Sequence, residues 1–200
     1  MKGPGAKTSR LRLGIYGGTF DPVHSGHILL ARDALEQVRL DAVLFVPCAQ
    51  SPLKRSKPRV SDAHRLAMLR LALKGESRFW ISRCELDRSG PSYAVETATE
   101  IGEAFPRATL FWLMGADQLA ELPRWHRQQE LARRVTFLLF ERGGKPVRGI
   151  KANVLGLPRP RRVDISATEI RDRVKSRLPI DCFVPAPIAA YIERHRLYRS

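Results

Sequence analysis

The sequence predicts an α/β fold built on a parallel, doubly wound sheet of about five to six strands with helices on both faces. Three observations carry this. Short apolar runs alternate with amphipathic stretches along the chain. Runs such as Ala42–Val46 (AVLFV) and Thr109–Met114 (TLFWLM) are almost wholly apolar, as strands covered on both faces are. A glycine-bearing turn, Gly17–His27 (GGTFDPVHSGH), sits between one such run and an amphipathic stretch. In open α/β sheets, backbone N–H groups and a helix N-terminus gather phosphate at such a turn.

Leu11–Tyr16 reads as the first strand, and Ile28, Leu29, Ala31, Leu35 and Val38 mark a helix that ends near Val38. Ala42–Val46 is the second strand, stopped by Pro47. The stretch Pro47–Val60 (PCAQSPLKRSKPRV) carries three prolines and four basic residues, which excludes regular structure. It lies at the carboxyl end of a strand, with Lys54 and Arg55 as its reachable cations; a plain surface loop is the alternative. Ser61 caps the next helix, with Leu66, Leu69, Ala72 and Leu73 on one face and Arg65 and Met68 at exposed or half-exposed positions. Phe79–Ile81 begin the third strand, Gly90-Pro91 is a turn, and Ser92 caps a helix running to about Ala104. Thr109–Met114 is the fourth strand. Leu131–Val135 finish a short helix, Thr136–Phe140 is the fifth strand and Asn153–Leu157 a weaker sixth. Ser166 is an N-cap with Glu169 at capping-box spacing, and Ile188, Ala189, Ile192 and Leu197 mark a closing helix.

The 200 residues, 44% of them apolar, suit one domain over 11–200 behind a basic flexible tail at 1–10. No run approaches the roughly 18 apolar residues of a membrane span. The first residues lack the apolar core of a signal peptide. Cys48, Cys84 and Cys182 are far apart, with no CxxC pair and no Cys/His spacing for zinc, so they read as reduced thiols in a cytoplasmic protein. A net charge of +15 points to anionic partners, nucleotides or nucleic acid. The basic residues are spread along the chain rather than gathered into one stripe, which disfavours specific nucleic-acid binding.

The chemistry-bearing residues fall at strand ends. Gly17 and Gly18 let a ligand approach the backbone, and Thr19 offers a hydroxyl. His24 and His27, three apart, lie on one face of a first helical turn and suit a polyphosphate. Gly115 and Asp117 follow the fourth strand, where a carboxylate can accept from ribose hydroxyls or cap a helix. Trp125 is either core packing or a stacking platform for a flat ring. Ser166, Thr168 and Arg171 join two hydroxyls and a guanidinium to a helix start, a second place for phosphate or an ordinary cap.

GTFDPVHSGH resembles the [T/H]xGH signature of the nucleotidylyltransferase superfamily. The succession GGTFDPVHSGH, VPCAQSPLK, CELDRSGPSY, MGADQL…LPRWH and ISATEIR is similar to the bacterial nicotinate-mononucleotide adenylyltransferases over nearly the whole chain. The resemblance implies a Rossmann-like fold and the conversion of ATP and nicotinate mononucleotide to deamido-NAD and pyrophosphate, with Mg²⁺, in NAD biosynthesis. It implies that Gly17, Gly18, Thr19, Phe20, His24, His27, Gly115, Asp117, Ser166, Thr168 and Arg171 bind ATP. Among these, His24, His27 and Arg171 would be catalytic. Lys54, Thr97 and Trp125 would bind the acceptor. The chain departs from the family at Leu53, where a His is frequent, at Ala94, which leaves Thr97 as the nearest hydroxyl, and at Ala167 in place of a Ser.

Those residues allow in-line attack of an acceptor phosphate on the α-phosphorus, with no general base. Protonated His24 or His27, Arg171 and Mg²⁺ would neutralise the leaving pyrophosphate, and the metal would be held by ATP oxygens and water rather than by a carboxylate cage. A sister enzyme acting on phosphopantetheine or on nicotinamide mononucleotide, and a basic RNA-binding module on the same scaffold, are the alternatives.

Overall fold

The computed structural model describes residues 10–53, 57–140 and 151–199. Among them the elements run β1 (Arg12–Gly18), α1 (Ser25–Gln37), β2 (Ala42–Pro47), α2 (Asp62–Ala72), β3 (Phe79–Ile81), α3 (Cys84–Asp87), α4 (Ala94–Ala104), β4 (Thr109–Met114), α5 (Ala116–Glu121), α6 (Gln128–Arg134), β5 (Thr136–Leu139), β6 (Asn153–Gly156), α7 (Ala167–Lys175) and α8 (Ala186–Arg194). The strands form one six-stranded sheet in the order β3-β2-β1-β4-β5-β6. Every pairing is parallel. This is the expected Rossmann-like α/β architecture.

The period of two along each strand splits the core into two layers. Leu13 and Ile15 of β1, Leu44 and Val46 of β2 and Trp112 of β4 pack under α4 and α6 through Val95, Ile101 and Leu131. Tyr16, Val43, Phe45, Phe111 and Leu113 face the opposite way, onto Ala31 and Leu35 of α1, Leu69 of α2 and Ile188 of α8. Both faces of the central strands are therefore covered, which is why they read as unbroken apolar runs. Phe45 is fully buried, worth roughly 2–3 kcal/mol against exposure.

Three local expectations are corrected. β1 runs on through Gly17 and Gly18, which pair with Val46 and Pro47. Arg65 and Met68 are fully buried, not half-exposed, because α2 is covered on the side facing the β1–α1 turn as well as on its leucine face. Ser92 does not cap α4, whose N-cap is Tyr93. Its hydroxyl instead accepts from the backbone N–H groups of Ala49 and Gln50 at 3.1 and 3.3 Å, tying the loop after β2 to the α3–α4 connection. The caps at Ser61 and Ser166 are as expected, accepting from His64 N and Glu169 N. No helix of the described residues is long and apolar enough to cross a membrane.

Candidate active site

β1 lies between β2 and β4, so the chain winds outward in opposite directions on either side of it. A crevice opens at the carboxyl ends of strands at such a switch point. Here it comprises two adjoining clefts that share Thr19, Cys48 and Ser51.

The smaller cleft, of about 230 Å³, is walled by Thr19, Asp21, His24 and His27 from the β1–α1 turn, Lys57 and Arg59 from the β2–α2 loop, and Thr168 and Arg171 from α7. The turn is held from behind. Buried Arg65 donates to the Thr19 carbonyl at 2.7 Å and pairs with Asp62 at 2.5 Å. Phe20 stands at φ 49° and folds its ring back over Gly18, where an added Cβ would sit 3.0 Å from the ring. Gly18 thus makes room for Phe20 as well as edging the larger cleft. Phe20 itself is 2% exposed and packs edge-on against Tyr16 and His27 while also lining the small cleft.

His24 is the N-cap of α1, and His27 sits three residues on. The two rings are 3.6 Å apart, and His27 Nδ1 accepts from the His24 backbone N–H at 3.2 Å. A neutral His27 therefore carries its proton on Nε2. His24 is buried, its Nδ1 has no hydrogen-bond partner among the described residues, and desolvation pushes its pKa down to about 4. Burial therefore favours the uncharged form of this ring in the ligand-free protein near neutral pH. Arg171 donates from Nη1 to the Asp21 carbonyl at 2.8 Å and from Nη2 to Thr168 Oγ1 at 2.9 Å, which aims its guanidinium along the wall. Ser166 is exposed and its hydroxyl is used as the cap of α7, so it lies at the rim rather than in the wall.

The larger cleft, of about 740 Å³, is bordered by Gly17 and Gly18, by Pro52 and Leu53 of the β2–α2 loop, by Glu85, Tyr93 and Ala94, and by Trp112, Asp117, Trp125 and His126. Trp125 meets Trp112 edge-on at 6.1 Å, and Tyr93 lies against His126 at 4.2 Å, giving an aromatic wall. The Trp125 indole N–H is buried and has no partner among the described residues. Glu85 is buried there, and its pKa is raised by burial, against the lowering effect of hydrogen bonds from Thr97, Ser92 and Cys48 and the charge of Arg88. Asp117 is exposed at the mouth. The cap of α5 is Gly115, not Asp117; a Cβ at Gly115 would meet Asp117 Oδ1 at 2.5 Å, so the glycine leaves room for that carboxylate to fold back.

Thr97 does not reach this wall, a correction to its expected place. It is fully buried on α4, donates to Glu85 Oε1 at 2.7 Å and accepts from Arg88 at 3.3 Å. Thr97 lies one helical turn beyond Ala94 and is screened from the cleft by Glu85, to which it donates. Lys54 and Arg55 lie outside the described residues. The clefts are also lined by Asp21, Lys57, Arg59, Glu85, Tyr93 and His126, which the sequence does not single out as site residues, and by Cys48, for which a place near a ligand is the lesser reading. Lys57 and Arg59 were marked only as part of a basic loop; the proline count could not say which of its cations turn inward. Among the described residues no three His, Cys, Asp or Glu are grouped as a metal site.

The arrangement can hold an anion with several phosphates in the small cleft while an aromatic ring lies in the large one. The chain is also similar to known proteins. A family model described as cytidylyltransferase-like matches residues 15–173. A protein of Opitutus terrae named "Probable nicotinate-nucleotide adenylyltransferase" is 44% identical over 94% of this chain and 98% of its own length. One of the same name from Methylacidiphilum infernorum is 41% identical over 96% and 94%. The solved structure of Plasmodium falciparum nicotinic acid mononucleotide adenylyltransferase, complexed with NaAD, superposes with a TM-score of 0.73 over 94% of this chain and 97% of that one, at 18% identity. It supports the fold.

Proposed function

We propose, from the premise that the chain belongs to the cytidylyltransferase-like family and within it to the nicotinate-nucleotide adenylyltransferases, that it joins the adenylyl group of ATP to nicotinate mononucleotide. The products are nicotinate adenine dinucleotide and pyrophosphate, and the reaction is a step of NAD biosynthesis. The observation that carries this is the meeting of a cationic cleft and an aromatic cleft at Thr19.

In the proposed assignment the triphosphate of ATP lies in the small cleft against Thr19, His24, His27, Thr168 and Arg171, with the Ser166 cap at its edge. Lys57 and Arg59 close it from the loop side. The nucleoside half runs past Gly17 and Gly18 toward Gly115 and Asp117, the last of which accepts from ribose hydroxyls. The nicotinate ring stacks on Trp125, with Lys54 as the cation of the acceptor loop. Thr97 serves by holding Glu85 in the wall rather than by touching the acceptor.

The acceptor phosphate is already an anion. One of its oxygens attacks the α-phosphorus, the bond between that phosphorus and the bridging oxygen to the β-phosphate breaks, and pyrophosphate leaves in line with the attack. No proton need be removed, so catalysis is positioning together with stabilisation of charge on the leaving group. Arg171 supplies a fixed positive charge and His27 a donor at Nε2. His24, uncharged before substrate arrives, contributes ring contact and a donor; a polyphosphate beside it would raise its pKa. A divalent metal enters with ATP; we assign Mg²⁺, held by phosphate oxygens and water. The enzyme works in the cytoplasm in this reading, in keeping with Cys48, Cys84 and Cys182 forming no disulfide.

The direct test is chromatography of the products. Incubation with MgATP and nicotinate mononucleotide is expected to give nicotinate adenine dinucleotide and pyrophosphate in equal amounts. Absence of the dinucleotide would overturn the assignment.

A further inference from the structure

We infer that Asp21 and Tyr198 form a latch that positions the phosphate cleft, with Tyr198 acting as a positioning residue for adenylyl transfer although it lies outside the cleft wall. The inference rests on the reading of the small cleft as the ATP-phosphate site.

Asp21 sits in the β1–α1 turn, 4% exposed, and its three oxygens face three different segments. Oδ1 accepts from the Tyr198 hydroxyl at 2.8 Å. Oδ2 accepts from the backbone N–H of Arg59 at 2.6 Å. The carbonyl accepts from Arg171 Nη1 at 2.8 Å. One residue thus ties the turn bearing both histidines to the inner end of the β2–α2 loop, to α7 and to the segment after α8. The first three of these carry side chains of the cleft wall. Tyr198 stands behind them, lining a separate basin of about 290 Å³ with Arg59, Thr168, Arg171 and Lys175.

The backbone is bent to bring the phenol there. α8 ends in an ordinary left-handed turn, with Arg196 at φ 52° and Leu197 N–H donating to Ile192 O at 3.0 Å. That closure is complete without Tyr198. Yet Tyr198 also stands at φ 61°, a conformation that a bulky residue keeps only where its surroundings over-determine it. Its ring is buried and its hydroxyl ends on Asp21. Burial and the charge of Asp21 push the phenol pKa up, so the hydroxyl keeps its proton and remains a donor.

Charge explains how the latch acts on the site. A buried carboxylate that loses a donor turns toward the nearest cation, and both Arg171 and Arg65 lie close enough to influence Tyr198. Without the phenol hydroxyl, Asp21 swings toward Arg171, draws the guanidinium away from Thr168 and releases the N–H of Arg59. The wall then meets the triphosphate out of register, and misplacement on the scale of an ångström is costly for an in-line transfer.

Tyr198→Phe removes one oxygen and leaves the ring in place. It is expected to lower kcat/KM for MgATP about tenfold, with a matching loss of affinity for a non-hydrolysable ATP analogue measured well below the melting range. Asp21→Asn is expected to show a similar loss, and the double variant no more than the worse single variant, because both act through one contact. Affinity and kcat/KM of Tyr198→Phe within about twofold of the parent protein would overturn the latch, as would additive losses in the double variant. Should the parent protein make no dinucleotide, the functional reading fails by itself; the analogue affinity still decides the latch, an unchanged value in Tyr198→Phe overturning it.

Discussion

The phosphate half of the crevice is walled largely by the β1–α1 turn and the first turns of α7, and its polar groups are tied to one another: Arg65 to the Thr19 carbonyl, Arg171 to Asp21 and Thr168, and Arg59 to Asp21. The other half, which takes the acceptor ring and the nucleoside end of ATP in the proposed assignment, is about three times as large and is assembled from residues spread between Gly17 and His126. Among its buried hydrogen-bonded groups are Glu85, held by Thr97, and Ser92, which accepts from the loop after β2. Each half also buries a group whose charged form desolvation disfavours, His24 in the phosphate half and Glu85 in the other. A pre-set cationic wall beside a roomier aromatic one is what a transfer enzyme needs when one substrate contributes the reacting phosphates and the other must be recognised by its ring.

That contrast can be broken or sharpened by experiment. The largest effect concerns acid. Burial pushes the His24 pKa in the folded protein down to about 4, so the unfolded chain binds the extra proton as pH falls from about 6.5 toward 4. The stability this ring supports is present above pH 6.5 and is lost as pH falls toward 4, by about 3 kcal/mol. Glu85 has the opposite sign: its raised pKa gives stability at low pH that is lost as pH rises through the folded value. Denaturant titrations from pH 7 to 4.5 should therefore show an acid loss in the parent protein that largely disappears in His24→Asn. Equal slopes in the two proteins would remove His24 as its source.

Next in size, His27→Ala is expected to reduce turnover at least tenfold, about 1.4 kcal/mol of transition-state stabilisation, while the melting temperature shows a folded protein. The loss should be the same for any acceptor, because it belongs to the phosphate half. Trp125→Ala should do the converse, raising KM for nicotinate mononucleotide about fivefold, the scale of a lost ring stack, with kcat/KM for ATP little changed. A fall in ATP affinity in that variant would merge the two halves. The smallest effect is expected for Thr97→Val, which removes the closest donor to Glu85: about 1 kcal/mol of stability, read by denaturant midpoint, with kcat unchanged.

The local part of the phosphate half is legible in the sequence, Thr19 and two histidines at fixed spacing and the cap at Ser166 being decided within one turn of chain, whereas Asp21, Lys57 and Arg59 of the same wall are set by how the β2–α2 loop folds back. The strands were readable because both their faces are buried, as at β2 and β4. What escaped depended on distant packing. Arg65 looks like an exposed helical arginine until the Thr19 carbonyl comes to meet it. Ser92 looks like a cap until the loop at Ala49 and Gln50 offers it two N–H groups. Thr97 looks like the nearest hydroxyl to the acceptor until the register of α4 turns it onto Glu85. Burial of His24, which sets its charge, comes from the turn being covered on all sides, and no spacing of residues reports that.

The central claim is that one crevice transfers an adenylyl group to a pyridine nucleotide. Its most direct test is pyrophosphate release from MgATP with nicotinate mononucleotide, nicotinamide mononucleotide and phosphopantetheine offered in parallel. A clear preference for nicotinate mononucleotide is the expected result. Turnover with phosphopantetheine alone, or with none of the three, would contradict it.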